Sequence, residues 1–202
     1  MNSNCKSCGN KETLHHVLNH CSQFLEQGRF TWRHDNILAY IHSHIKASIS
    51  DTDILNCDLD GGKSGYTTVP LCCTATDLIP DLCLYSDRGS EKCLTVFELS
   101  VPFETNIDDT HSRKTNKYAP IVADIESKNI KTNFLAIEIG SRGFISDDNM
   151  KRLKLLFKHI DSKRISFKNF KNDLSKLSIV SSFVIYNSRN NPSWDSLPIL
   201  SV

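Results

Sequence analysis

The sequence predicts an α/β domain, helices packed on a short sheet, preceded by a small Cys/His-rich head. Three observations carry this. Apolar stripes at helical spacing are interspersed with short apolar runs of strand length, the mixed order of a layered α/β or α+β domain. The chain has 202 residues, 39% of them hydrophobic and 23% charged, which suffices for one ordinary core and a small appendage. Residues 1–28 form the head, bearing cysteines and histidines at close spacing.

The elements run in order along the chain. Residues 32–48 read as a helix on the stripe Ile37, Leu38, Tyr40, Ile41 and Ile45. Residues 50–68, with Asp51, Asp53, Asp60, Gly61, Gly62 and Gly65, read as a loop. Residues 82–85 and 94–101 read as strands. Residues 107–128 look helical and are expected to break or kink at Pro120, and residues 133–139 read as another strand. Residues 150–159 and 167–177 complete the set as helices. Repeats and low-complexity tracts are absent from the sequence.

Composition excludes collagenous and disordered chains. No apolar run has the length of a bilayer span; residues 177–186 come nearest and are interrupted by serines. The first ten residues are polar and offer no secretory apolar segment, so an intracellular setting is the expectation. In that reducing context the eight cysteines point to metal ligation or burial rather than disulfides.

Cys5, Cys8, His16 and Cys21 have the spacing C-x2-C-x7-H-x4-C. Two thiolates two residues apart grip one side of a zinc ion through a tight turn, and Gly9 stands where such a turn takes positive φ. His16 and Cys21, from a following helix, complete a tetrahedron, with His15 and His20 as competing imidazoles. So small a head has little apolar surface, and its stability would come largely from the metal.

A net charge of +1 hides an uneven distribution. Residues 51–109 hold twelve acids against three bases (−9), and residues 142–176 hold ten bases against four acids (+6). The first attracts cations; the second attracts polyanions or is a solvated helix face. Within the acidic stretch, a Gly89-Ser90 hairpin loop makes Arg88 face Glu91 and, counting back along the strands, Asp81 face Glu98. Two carboxylates so close repel unless a divalent cation sits between them. Leu94 and Val96 share the face of Glu98, while Phe97, Leu99 and Val101 share the other; a strand apolar on both sides belongs in a covered sheet. Downstream, Lys114 and Tyr118 lie four apart on one helical face, with Lys117 adjacent. A lysine beside a metal-bound water positions or deprotonates it and stabilises charge on a phosphate.

These residues, taken together, resemble a known family. The segment from Cys5 to Cys21, with Glu12-Thr13-Leu14-His15-His16 inside it, resembles the CCHC knuckle near the carboxy terminus of site-specific LINE-type (non-LTR) retrotransposon reverse transcriptases. The chain beyond Cys21 is similar to their restriction-enzyme-like endonuclease domain, of the PD-(D/E)xK superfamily. The matching pieces are Arg33-His34-Asp35, Pro80-Asp81, Glu98-Leu99-Ser100-Val101-Pro102-Phe103-Glu104, residues 113–118 and Ile137-Glu138-Ile139-Gly140-Ser141-Arg142-Gly143-Phe144, in family order.

The resemblance implies a zinc knuckle over residues 1–28 and an endonuclease domain over 29–202, with a short mixed sheet flanked by helices. It implies Mg²⁺ on Asp81 and Glu98 and a helix lysine, Lys114 or Lys117, in place of the usual strand lysine, with Tyr118 completing the K-x3-Y spacing. It further implies nicking of target DNA in the nucleus, with element RNA as a further partner. The knuckle, Arg33 and His34 would help hold nucleic acid, and the basic region with Arg142, Lys151 and Arg152 would touch its backbone. Two departures stand out: the second acid is Glu98 where many members carry aspartate, and the interval from Asp81 is slightly long. No reverse transcriptase domain precedes the knuckle in this sequence, so a fragment, a stand-alone copy or a decayed element is expected.

Other motifs are weaker. Asp60-Gly61-Gly62-Lys63-Ser64 suggests a phosphate-binding loop, but Cys57 stands where that motif needs its first glycine. Cys83 and Cys93 read as small core residues. Phe157, Phe167 and Phe170 interleave with lysines, yet helical core packing accounts for them better than base stacking.

Overall fold

The computed structural model describes residues 4–60, 67–89, 91–194 and 198–200. At its centre is one four-stranded sheet in the spatial order β1 (Ile54–Cys57), β2 (Leu82–Asp87), β3 (Lys92–Ser100), β4 (Lys131–Glu138). The first three strands are antiparallel neighbours, and β4 runs parallel to β3. The flanking helices are α1 (Ser22–Glu26), α2 (Arg29–Lys46), α3 (Ile107–Ser127), α4 (Asp147–Phe157) and α5 (Phe167–Asn187). α3 is the crossover that a parallel β3–β4 pair requires.

The sheet is covered on both faces, as the apolar pattern of β3 demands. On one face Phe97 and Leu99 pack with Ile37 and Ile41 of α2, Leu153 and Leu156 of α4, and Phe170 and Leu174 of α5. On the other, Leu94 and Val96 meet Tyr118, Ile121 and Ile125 of α3. The hairpin has the register read from the sequence: Leu82 faces Phe97, Asp87 faces Lys92, and the Arg88 N–H donates to the Glu91 carbonyl at 3.0 Å. Gly89 takes φ +77°, a value that suits glycine; Ser90 lies outside the described residues. Cys83 is fully buried and Cys93 partly so, and Phe157 contacts Phe167 and Phe170 in the core, at 5.3 and 5.5 Å between ring centres.

Three elements differ from expectation. The stretch read as a loop contains β1, four residues long, whose weak apolar signal is recruited by the free edge of β2. The Gly61-Gly62-Lys63-Ser64 run beside it lies outside the described residues. α3 continues through Pro120. Pro120 and Asn116, whose carbonyl loses its helical donor, are both exposed, so water supplies the missing partner. α5 extends ten residues beyond the expected end, because its second half inverts the usual pattern. Ser178, Ser181 and Ser182 face inward, while Ile179, Val180, Phe183 and Tyr186 stay exposed. The Ser178 hydroxyl satisfies the Gly140 carbonyl at 2.7 Å. The Ser146 and Ser166 hydroxyls accept backbone N–H bonds and fix the starts of α4 and α5.

The Cys/His head is joined to the rest. Val17, Leu18 and Phe24 share an apolar cluster with Trp32 and Ile185. The Arg29 guanidinium, fully buried, donates to the carbonyls of Ser188 and Asn191 at 2.9 and 2.8 Å. No helix among the described residues is long and apolar enough to cross a membrane.

Candidate functional site

Strand ends bring three acids into a row. The β1–β2 ladder continues one step past the strands, where the Asp58 N–H donates to the Asp81 carbonyl at 2.9 Å. The β2–β3 register, extended by one residue, puts Asp81 opposite Glu98. Both residues are buried, Asp81 at 8% and Glu98 at 2% exposure, where an unpaired charge is costly.

Each carboxylate has partners on the protein. Asp81 Oδ2 accepts the Leu99 N–H at 2.5 Å and lies 3.2 Å from His34 Nε2; the Asp81 N–H points at Glu98 Oε2 at 3.4 Å. Lys114 Nζ donates to Glu98 Oε1. The two lysines left open by spacing therefore part company. Lys114 reaches the acid, whereas Lys117 turns to the Tyr118 hydroxyl at 3.1 Å. Tyr118 in turn donates to the Ile79 carbonyl at 3.1 Å, pinning the chain two residues before Asp81. The pocket in front of these groups has a volume of about 510 Å³.

The electrostatics are those of a crowded acidic site. Burial and the Asp81 charge raise the Glu98 pKa, and Lys114 and Tyr118 offset this. Burial and the Glu98 charge push the Tyr118 phenol far above the ordinary tyrosine range, so it stays a proton donor. For His34, burial opposes charging, but hydrogen bonds to Asp35 and Asp81 and their charges win, holding its pKa up to about 10. At neutral pH His34 is therefore an imidazolium between two carboxylates, with Asp35 at 3.0 Å on Nδ1.

His34, Asp35 and Asp58 belong to this site, a membership that sequence reasoning missed. The family resemblance names Arg33 and His34 as nucleic-acid contacts and gives Asp35 and Asp58 no role. Successive residues on a helix point about 100° apart, so the triplet splits. His34 swings to Asp81, while Arg33 is buried at 1% exposure, bonded to Ser182 Oγ at 3.0 Å and the Val101 carbonyl at 3.1 Å. This corrects the expectation that Arg33 touches nucleic acid: its guanidinium joins α2 to α5 and to the end of β3. The basic region divides similarly. Lys151 is exposed and pairs with Asp148 at 2.7 Å; Arg142 is exposed and pairs with Glu104 at 2.7 Å. Arg152 turns inward toward Glu138, at 3.5 Å. Glu138 is 1% exposed and also meets His111 at 3.2 Å. His111 and Lys114, about one helical turn apart, thus tie α3 to two buried acids of the sheet.

A second cluster lies in the head. The ligand atoms of Cys5, Cys8, His16 and Cys21 all lie within 4.8 Å of one another. The Cys5–Cys21 Sγ distance is 3.9 Å and Cys8 Sγ lies 3.2 Å from His16 Nε2. A tetrahedral zinc with Zn–S bonds of ~2.3 Å spaces its sulfurs by roughly 3.8 Å, so the donor set and its spacing fit a metal such as zinc. The turn is built as the pattern requires: Gly9 takes φ +78° and donates to the Cys5 carbonyl at 2.8 Å. His15 and His20 meet edge to face with ring centres 4.1 Å apart, and His15 also packs against Phe103; His16 is the histidine whose ring nitrogen lies among the three thiols. Burial pushes the Cys21 thiol up to about 12, so it holds its proton until a cation displaces it.

No family model matches the chain, and no curated protein matches it either. The α/β fold, the acid–lysine pocket and the Cys/His cluster therefore rest on the residues themselves.

Proposed function

We propose that the chain is the endonuclease region of a LINE-type retrotransposon protein: a Mg²⁺-dependent, restriction-endonuclease-like (PD-(D/E)xK) domain with an attached zinc knuckle, which nicks target DNA. The observation that carries this reading is the meeting of Asp81, Glu98 and Lys114 from three elements far apart in the sequence, with Asp81 and Lys114 lining one pocket and Glu98 bonded to both just behind it. Two hard carboxylate oxygens suit Mg²⁺, which needs only one or two protein carboxylates and keeps its other ligands as water. Burial first, and the Asp81 charge second, raise the Glu98 pKa, and a divalent cation would favour its charged form. When bound, the ion polarises the phosphodiester and lowers the pKa of an attacking water.

The chain's own groups have separate tasks in this reading. Asp81 and Glu98 hold the ion. Lys114 keeps a positive charge in the pocket lining, where it stabilises charge developing on the phosphate. Tyr118 and the Leu99 N–H fix the acids' orientation, and exposed Arg142 and Lys151 face the DNA backbone, giving salt-sensitive binding. The knuckle's zinc is structural.

A nicking assay on supercoiled plasmid with Mg²⁺ tests the reading. Wild type converts the plasmid to the open circle, and Asp81→Ala reduces this to background. Equal conversion by both proteins removes the proposed site.

One observation favours a second reading, a non-catalytic nucleic-acid-binding module. His34 and Lys114 balance the acids without a cation. Salt-dependent DNA binding with no nicking in either Mg²⁺ or Mn²⁺ selects it.

A further inference from the structure

The pocket beside Asp81 has walls of three different kinds. Its floor is acidic, with Asp35, Asp58 and Asp81. One side is cationic and polar, formed by Thr110, Arg113 and Lys114 of α3. The part contributed by α1 and α2 is mixed, with Leu25 and Phe30 apolar and Thr31 and His34 polar.

Two of these residues have no task in the fold. Leu25 is 63% exposed, a large apolar surface left in water. Arg113 is exposed at the rim, and no carboxylate among the described residues pairs with it. Lys114, by contrast, is committed to Glu98. An unpaired guanidinium in the same pocket lining as an aliphatic and an aromatic side chain matches a ligand with an anionic end and a flat, weakly polar end. A nucleotide is such a ligand, and about 510 Å³ falls in the range of pockets that enclose one small molecule.

We infer that this pocket takes one unstacked nucleotide of the DNA substrate, with the phosphate toward Arg113 and the base against Leu25 and Phe30. The inference rests on the nuclease reading and deepens it by naming the substrate class. In a continuous duplex both faces of a base are covered by its neighbours, so the base reaches a side-chain wall only by leaving the stack. That step is easiest at a mismatch or an already single-stranded position. The preferred substrate is therefore DNA with an unpaired nucleotide beside the scissile phosphate. Recognition through an apolar face tolerates any base, while the phosphate contact supplies part of the salt dependence.

The test is a binding titration of the full chain against two otherwise identical duplexes, one fully paired and one with a short central mismatch. No Mg²⁺ is added, so that cleavage does not intervene. Wild type binds the mismatched duplex about tenfold more tightly, the size of one base–side-chain stack. Leu25→Ala, at an exposed position that leaves the core intact, and Phe30→Ala bring the ratio toward one with the salt slope unchanged. Arg113→Ala weakens both duplexes alike and lowers the salt slope by about one. Equal binding of the two duplexes by wild type, or an undiminished preference in Leu25→Ala, overturns the nucleotide pocket. Plasmid nicking separates this from the broader reading. A mismatch preference without nicking keeps the pocket and removes the nuclease; nicking without the preference does the reverse.

Discussion

Lys114 and Lys117 sit three residues apart on α3 and carry the same charge, yet their surroundings make them unequal. Lys114 neutralises a glutamate that is 2% exposed, whereas Lys117 lies on an exposed surface beside a phenol. Removing one partner of a buried pair strands the other charge, at a cost of about 3–5 kcal/mol. Lys114→Ala should therefore lower stability by about that much in urea unfolding, and Lys117→Ala by less than about 1 kcal/mol. His34 carries a pH signature. Its folded pKa stands at about 10 against an ordinary 6.5, so the stability it adds is complete below pH 6.5 and is lost as pH rises toward 10. His34→Gln should flatten the decline in unfolding free energy across that window. A decline of unchanged steepness in the variant would assign it to other groups.

Among the elements, β3 was the most legible, because its alternating apolar faces, its glutamate and its hairpin partner were all local features. The register that brings Asp81 against Glu98 is set by one loop of two residues. β1 was hidden because four residues among aspartates carry too little apolar signal, and only the exposed edge of β2 makes them a strand. The second half of α5 was hidden because its buried face is serine, which reads as polar until Gly140 and Arg33 are seen opposite it. Arg33 and His34 are alike in charge class and adjacent in sequence, yet only Arg33 points into the core, a distinction that helix geometry draws. Pro120 shows how strongly packing overrides local preference. α3 continues through it because Tyr118, Ile121 and Ile125 are locked against the sheet. Proline in a helix interior costs about 3 kcal/mol relative to alanine. Pro120→Ala, which restores the missing donor at an exposed site, should raise the midpoint of thermal unfolding without altering the nicking assay.

Across the whole molecule, the Cys/His head is packed against the helices that cover the sheet. The head shares an apolar cluster with α2 and α5, and the Asn19 amide donates to the Val101 carbonyl at 2.9 Å, just beyond the strand that bears Glu98. With zinc loaded into the Cys/His cluster, its chelation, or Cys8→Ser, should therefore lower a single melting transition of the entire chain. A separate low-temperature transition confined to the head would show instead that it unfolds alone. Mn²⁺ binding reports directly on the cation-holding role proposed for Asp81 and Glu98. Electron paramagnetic resonance of Mn²⁺ titrated into the zinc-loaded protein should reveal one bound ion in wild type and its loss in Glu98→Gln, a variant that keeps the side chain's size. Equal Mn²⁺ occupancy in the two proteins would contradict the account.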